Sequence, residues 1–202
     1  MTGNRADGRA EHDAAREADD RRIRLRAIIA IGITQIITWG TSLYSLGVLG
    51  KSISSETGWS STIVYGGLTL GLLVGAAVSR FMGRQVDVRG GRAVMSIGAV
   101  VMAAGLAAVA SSTNVLAYMA SWIVLGLAMR MALYDAAFAA IVQVTPSRGR
   151  IAISYLTLFG GLASSVFWPI GHALDVAYGW RTTLLIFAAI NLFVCLPLFW
   201  WG

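Results

Sequence analysis

Six apolar stretches, each about as long as a bilayer is thick, succeed one another through this sequence with short polar turns between them. They cover residues 27–49, 61–82, 93–111, 115–142, 151–173 and 182–201, near or above the ~20 residues a helix needs to cross about 30 Å of hydrocarbon. A backbone in lipid has no water to bond, so each run is read as a membrane-spanning helix. The fourth exceeds one crossing and is expected to project beyond the membrane. Of the 202 residues 56% are hydrophobic and only 13% charged, with a mean hydropathy of +0.68. Soluble domains carry about 25% charge, so the expected fold is all-α and integral to a membrane: a six-helix bundle over 27–202.

Residues 1–26 precede it as a polar tail, rich in Ala, Asp, Glu and Arg and without apolar periodicity, expected to be disordered and cytoplasmic. The first span is too long for a signal-peptide core and is expected to be retained. Arg21, Arg22, Arg24 and Arg26 abut it. Arg80, Arg84, Arg89 and Arg92 gather between spans two and three, and Arg148 and Arg150 between spans four and five. The opposite side carries Lys51 and Arg181, so the positive-inside rule predicts both termini in the cytoplasm of a plasma or bacterial inner membrane. The net charge of +6 orients the chain; the arginines sit at span ends, without the aromatic interleaving of a nucleic-acid surface. Cys195 is the one cysteine and lies in an apolar run, so no disulfide, metal site or cofactor is expected.

The charged stretch Gly83-Arg84-Gln85-Val86-Asp87-Val88-Arg89-Gly90-Gly91-Arg92 reads as a ten-residue turn between spans two and three. A related pattern recurs 88 residues later: Gly83, Asp87, Val88 and Gly91 correspond to Gly171, Asp175, Val176 and Gly179, followed by Trp180-Arg181. The two stretches fall between corresponding spans on opposite faces, as an inverted 3+3 repeat requires.

These residues resemble the signature between the second and third helices of the major facilitator superfamily, roughly Gly-x-x-x-Asp-Arg-x-Gly-Arg-Arg. Gly83, Asp87, Gly90 and Arg92 match it; Val88 and Gly91 depart, with Arg89 available to re-route the charge network. Gly58-Trp59-Ser60 and Gly179-Trp180-Arg181 are similar to loops of the same family. The resemblance implies the amino-terminal six-helix half of a secondary transporter working by alternating access, with a small-molecule substrate and a second six-helix half, or a second copy, as partner. Two features depart from common patterns. Trp122 stands where many proton-coupled members have Arg, four residues before Gly126, and the fifth-span motif is reduced to Trp168-Pro169-Ile170-Gly171. Direction and proton coupling therefore stay open.

Within the spans, Arg130 stands out, because a charge in hydrocarbon costs a few kcal/mol or more and faces a wet cavity or a partner. Counted from Asn114 it lies roughly 24 Å along its helix. It is read either as an anion-attracting cavity residue or as an arginine snorkelling to the headgroups. The family resemblance implies that Asp135 partners the charged stretch; Arg89 or Arg92 would then latch spans two to four in one state. Gln35, Thr38, Trp39 and Ser42 share one face of span one, and with Tyr134 they are candidates for lining the substrate cavity. Ordinary helix packing through Ser and Thr is the other reading of that stripe. Gly67, Gly71 and Gly75 are expected to permit close helix packing, and Pro169 to kink span five. An enzyme is not expected: Ser165 and His172 are seven residues apart on one helix, about 10 Å, and Asp135 and Asp175 fall on opposite sides. His172 reads as a helix-end residue with a role in proton coupling open to it.

The expected function is secondary transport of small organic anions. The alternatives are a half of an efflux transporter for amphipathic compounds, suggested by the Trp- and Met-rich spans, and a membrane interaction protein that transports nothing.

Overall fold

The computed structural model describes residues 22–23, 25–145 and 149–201. Most of the expected tail, with Arg5, Arg9, Arg16, Arg21 and Arg24, lies outside the described residues, as do Pro146 and Arg148. Every element among the described residues is helical, and several helices are long and apolar enough to cross a membrane.

The first runs from Leu25 to Thr57 and is interrupted once, so that α1 covers residues 25–41 and α2 Leu43–Thr57. The cause is local. Thr34, Thr38, Thr41, Ser42 and Ser45 each donate a hydroxyl hydrogen bond to a carbonyl three or four residues back. Such back-bonding competes with the helix ladder and bends it. The break falls at Ser42, whose hydroxyl and amide both reach Thr38 O. α2 continues past the expected end at residue 49 and stops at Gly58, which takes φ 72° and donates its N–H to Ser54 O.

The charged stretch is helix, not turn. α3 covers Ser61–Arg89, and α4, Gly91–Ser111, begins two residues later. Beyond the hydrocarbon a helix of Arg, Gln and Val still satisfies its own backbone, so nothing forces it to end before a residue that can reverse the chain. Gly90 does so with φ 80° and ψ 152°, a combination essentially restricted to glycine.

α5, Val115–Ala132, and α6, Tyr134–Val144, are separated at Leu133, which is extended with φ −85° and ψ −165°. The long fourth stretch is thus two helices meeting at a bend. The break frees the Ala132 carbonyl, and Gln35 Nε2 donates to it at 2.9 Å. α7, Gly149–Gly161, and α8, Ala163–Ile190, are separated at Leu162. The interruption in the expected fifth span lies there, while the dihedrals stay helical through Pro169.

The 53 residues from Gly149 to Trp201 would extend about 80 Å as one helix, far more than a bilayer, and the chain folds back instead. Gly179, inside α8, has φ 78° and ψ 163°. Phe167 and Phe187, twenty residues apart, meet edge to face with centroids 5.6 Å apart. Arg181, just past the reversal, donates to Ala110 O at 2.5 Å and Ser112 O at 2.9 Å, the free carbonyls ending α4. It also bonds Glu56 at 3.0 Å and lies over the Trp180 ring. A cation at a helix carboxyl terminus is favoured by the exposed carbonyls.

The return run passes through a π-helical segment, Asn191–Cys195, into α9, Leu196–Trp201. Asn191 is fully buried and its Nδ2 donates to Thr41 Oγ1 at 2.8 Å and Phe187 O at 2.9 Å, tying this run to α1. α4 is the hub: it packs against α5, α6, α8 and α9 and buries one face along its whole length. α3 is the opposite case, with only Val64, Gly67, Gly71, Gly75, Met82 and Val86 buried along its length.

Candidate functional site

The site begins with glycine. α3 and α5 cross where Gly67, Gly71 and Gly75 meet Tyr118, Trp122 and Gly126. A Cβ on Gly126 would collide with the Gly71 backbone, and one on Gly67 with the Trp122 ring. The expected close packing is therefore present, and Trp122 needs the space that Gly67 leaves. Tyr118 donates to Val64 O at 2.8 Å across the same seam.

One helical turn beyond Gly75 and Gly126 stand Ser79 and Arg130, and there a cavity of about 510 Å³ opens among α1, α2, α3, α5 and α6. Arg130 lines it. Its Nη1 lies 2.6 Å from Asp135 Oδ2, with side chains 30% and 57% exposed. Residues five apart on a straight helix point about 140° away from each other, so the bend at Leu133 is what lets them meet. Asp135 also stands in the first turn of α6, where the helix amino terminus favours a negative charge.

Aromatic rings form the facing wall. Trp39 and Tyr134 are 4.8 Å apart between centroids, and Tyr134 stacks on Phe138 at 4.9 Å. Tyr134 reaches past Gly160 to donate to Thr157 O at 3.2 Å, which fastens α6 to α7. The Trp39 Nε1–H is buried with no partner among the described residues. Apolar residues such as Leu43, Leu72 and Met129 complete the lining.

The span-one stripe is divided by the structure. Trp39 lines the cavity, whereas Gln35, Thr38 and Ser42 are buried between helices at 0–1% exposure. Thr38 and Ser42 spend their hydroxyls on their own helix, and Gln35 donates its Nε2 to Ala132 O while its Oε1 has no partner among the described residues. Of the four residues on that face, three are packed between helices and Trp39 borders the cavity. Arg130, Tyr134 and Asp135 do converge with Trp39.

The latch expected in one conformational state is not closed in this structure. Asp135 bonds Arg130, not Arg89 or Arg92. Asp135 stands five positions from Arg130 along the chain, and the bend brings them together at no cost in long-range closure. Gly83, Asp87 and Arg89 are exposed on the last turns of α3, and Gly90 is the hinge. Arg92 instead borders a separate cavity of about 180 Å³ together with Gly91, Gln143 and Phe199. His172 is exposed on α8, within the helix and outside the larger cavity.

Sequence reasoning passed over Gln143. Its side chain bridges the hinge with two long bonds, accepting from Gly91 N–H at 3.4 Å and donating to Val86 O at 3.5 Å. The available signal was a lone amide near the end of α6, after a run of apolar residues from Ala136 to Val142. Ser79 was also passed over, and its spacing of four from Gly75 was the clue. Among the described residues no cluster of His, Cys, Asp or Glu could hold a metal ion.

The sequence matches the family model of the Major Facilitator Superfamily over residues 29–202. No curated protein and no solved structure matches it.

Proposed function

This chain belongs to the major facilitator superfamily, and on that premise we propose that it carries small organic anions by alternating access, with Arg130 as the anion-attracting residue. The observation that carries this reading is the position of Arg130: a cation in the lining of a 510 Å³ cavity with aromatic and aliphatic walls. Such a charge is expensive inside a membrane unless it serves a partner or a ligand.

The architecture we infer is six crossings in two inverted groups of three. Gly90 and Gly179 support it by sharing nearly the same backbone angles, each followed two residues later by an arginine, Arg92 and Arg181. Both termini are assigned to the cytoplasm by charge. The exposed apolar faces of α3, with Leu72, Leu73 and Phe81, and of α7 to α8, with Tyr155, Leu158 and Trp168, suit a complementary bundle as well as lipid.

The test is uptake of radiolabelled monocarboxylates by proteoliposomes. Arg130→Ala is expected to lower it at least tenfold while the folded protein stays at the same level. Undiminished uptake in Arg130→Ala would remove the anion assignment. The apolar lining of Leu43, Leu72, Met129 and Leu133 would then favour efflux of amphipathic compounds. Where no solute moves in either direction, the chain acts as an interaction protein.

A further inference from the structure

The ion pair that occupies Arg130 stands on a boundary. Besides the 510 Å³ cavity, a second cavity of about 260 Å³ lies on the side toward the Gly90 hinge. Ser79, Arg130 and Asp135 line both. The aromatic rings of Trp39 and Tyr134 face only the larger one, and Arg80 borders only the smaller. Arg80 is exposed, and among the described residues it makes no ion pair.

We propose that Asp135 is an internal stand-in for the ligand: the carboxylate of an aromatic or apolar monocarboxylate replaces it on Arg130, and the displaced Asp135 side chain passes to Arg80. This rests on the reading of Arg130 as the anion site. No bond is made or broken; one carboxylate exchanges for another.

Charge accounting favours a monoanion. Arg80, Arg130 and Asp135 sum to one positive charge, which a single carboxylate neutralises. After exchange each arginine has one carboxylate: the part-buried Arg130 keeps a partner, where an uncompensated charge is costly, and the exposed Arg80 gains one. A dianion would leave one negative charge over. The neutral remainder of the ligand lies along the walls formed by Trp39, Tyr134 and Leu72, which offer stacking and apolar contact. Because Arg80 is on α3 and Asp135 on α6, the exchange draws those two helices together at the end nearest the hinge. Occupancy of the larger cavity thereby reaches the part of the molecule that reverses at Gly90.

The experiment is equilibrium binding of radiolabelled benzoate to the full chain in nanodiscs, with benzamide as neutral competitor and phthalate as dianion. Removing the internal competitor in Asp135→Asn is expected to tighten benzoate binding roughly fivefold, the scale of a partly exposed ion pair. Asp135→Ser is expected to do the same, which separates the effect from any misfolding of one variant. Arg80→Gln is expected to weaken binding several-fold in the unaltered chain and to have no effect in the Asp135→Asn background. Benzamide and phthalate are expected to compete poorly.

Unchanged or weaker binding in both Asp135 variants overturns the exchange, as does an equal Arg80→Gln effect in the two backgrounds. Arg130→Gln separates the two levels of the argument. If it abolishes binding while the Asp135 variants gain nothing, Arg130 is the anion site and the exchange is wrong. If it binds benzoate like the unaltered chain, both readings fall.

Discussion

At the scale of single residues, glycines that look alike in the sequence do different work. Gly179 adopts φ 78° with ψ 163°, where any Cβ is strained. Gly179→Ala is expected to cost about 1–3 kcal/mol, seen as a lower melting temperature in detergent. Gly83, the first residue of the family signature, is helical and has nothing within 4 Å of where a Cβ would stand. Gly83→Ala is expected to leave stability unchanged or raise it by up to ~1 kcal/mol, the helix-propensity difference. A loss of stability in Gly83→Ala would show that this face of α3 is covered in the membrane. The repeat makes the same point about register. Aligned at a spacing of 88, Gly83 and Asp87 correspond to Gly171 and Asp175, but the two reversals fall at Gly90 and Gly179, 89 residues apart. Sequence identity recorded the helices before each hinge; only the dihedrals locate the hinge itself.

At the scale of elements, the seam between α3 and α5 positions everything in the cavity. Gly126→Val would place a branched side chain against the Gly71 backbone, and backbone cannot move aside as a flexible side chain can. The expected result is a loss of about 1–3 kcal/mol or more, with loss of benzoate binding because Ser79 and Arg130 no longer stand together. Gly75→Ala, where a Cβ would meet Gly126 O at 3.3 Å, should be milder. The bend between α5 and α6 depends on Gln35. Gln35→Leu leaves the Ala132 carbonyl without its partner, at a cost of about 1–3 kcal/mol, and is expected to disturb the Arg130–Asp135 geometry more than a Thr38→Val change does. Binding measured on both variants checks this. Gln35 was legible as a polar residue on a shared helical face. That it serves a carbonyl 97 positions away was not, because the carbonyl is free only where Leu133 breaks the helix.

For the whole molecule, the proposed orientation has a direct check. Cys195 is fully buried and should stay silent toward membrane-impermeant thiol reagents. A cysteine at Ser55 should then label from outside intact cells, and one at Gly83 only after the membrane is opened. The reverse pattern would invert the topology and place the Arg80 end outside. By itself the sequence determined the helical membrane class, the family and the approximate limits of the apolar stretches. Those follow from composition and local period, which a bilayer reads almost without regard to tertiary contacts. It also picked out Arg130, since a charge among apolar residues is conspicuous wherever it ends up. Tertiary structure alone decided which charge Arg130 pairs with, which residues of span one line the cavity, and at which residue between spans five and six the chain turns back. Each of those depends on groups distant in sequence or on a single backbone dihedral. Neither leaves a period in the chain.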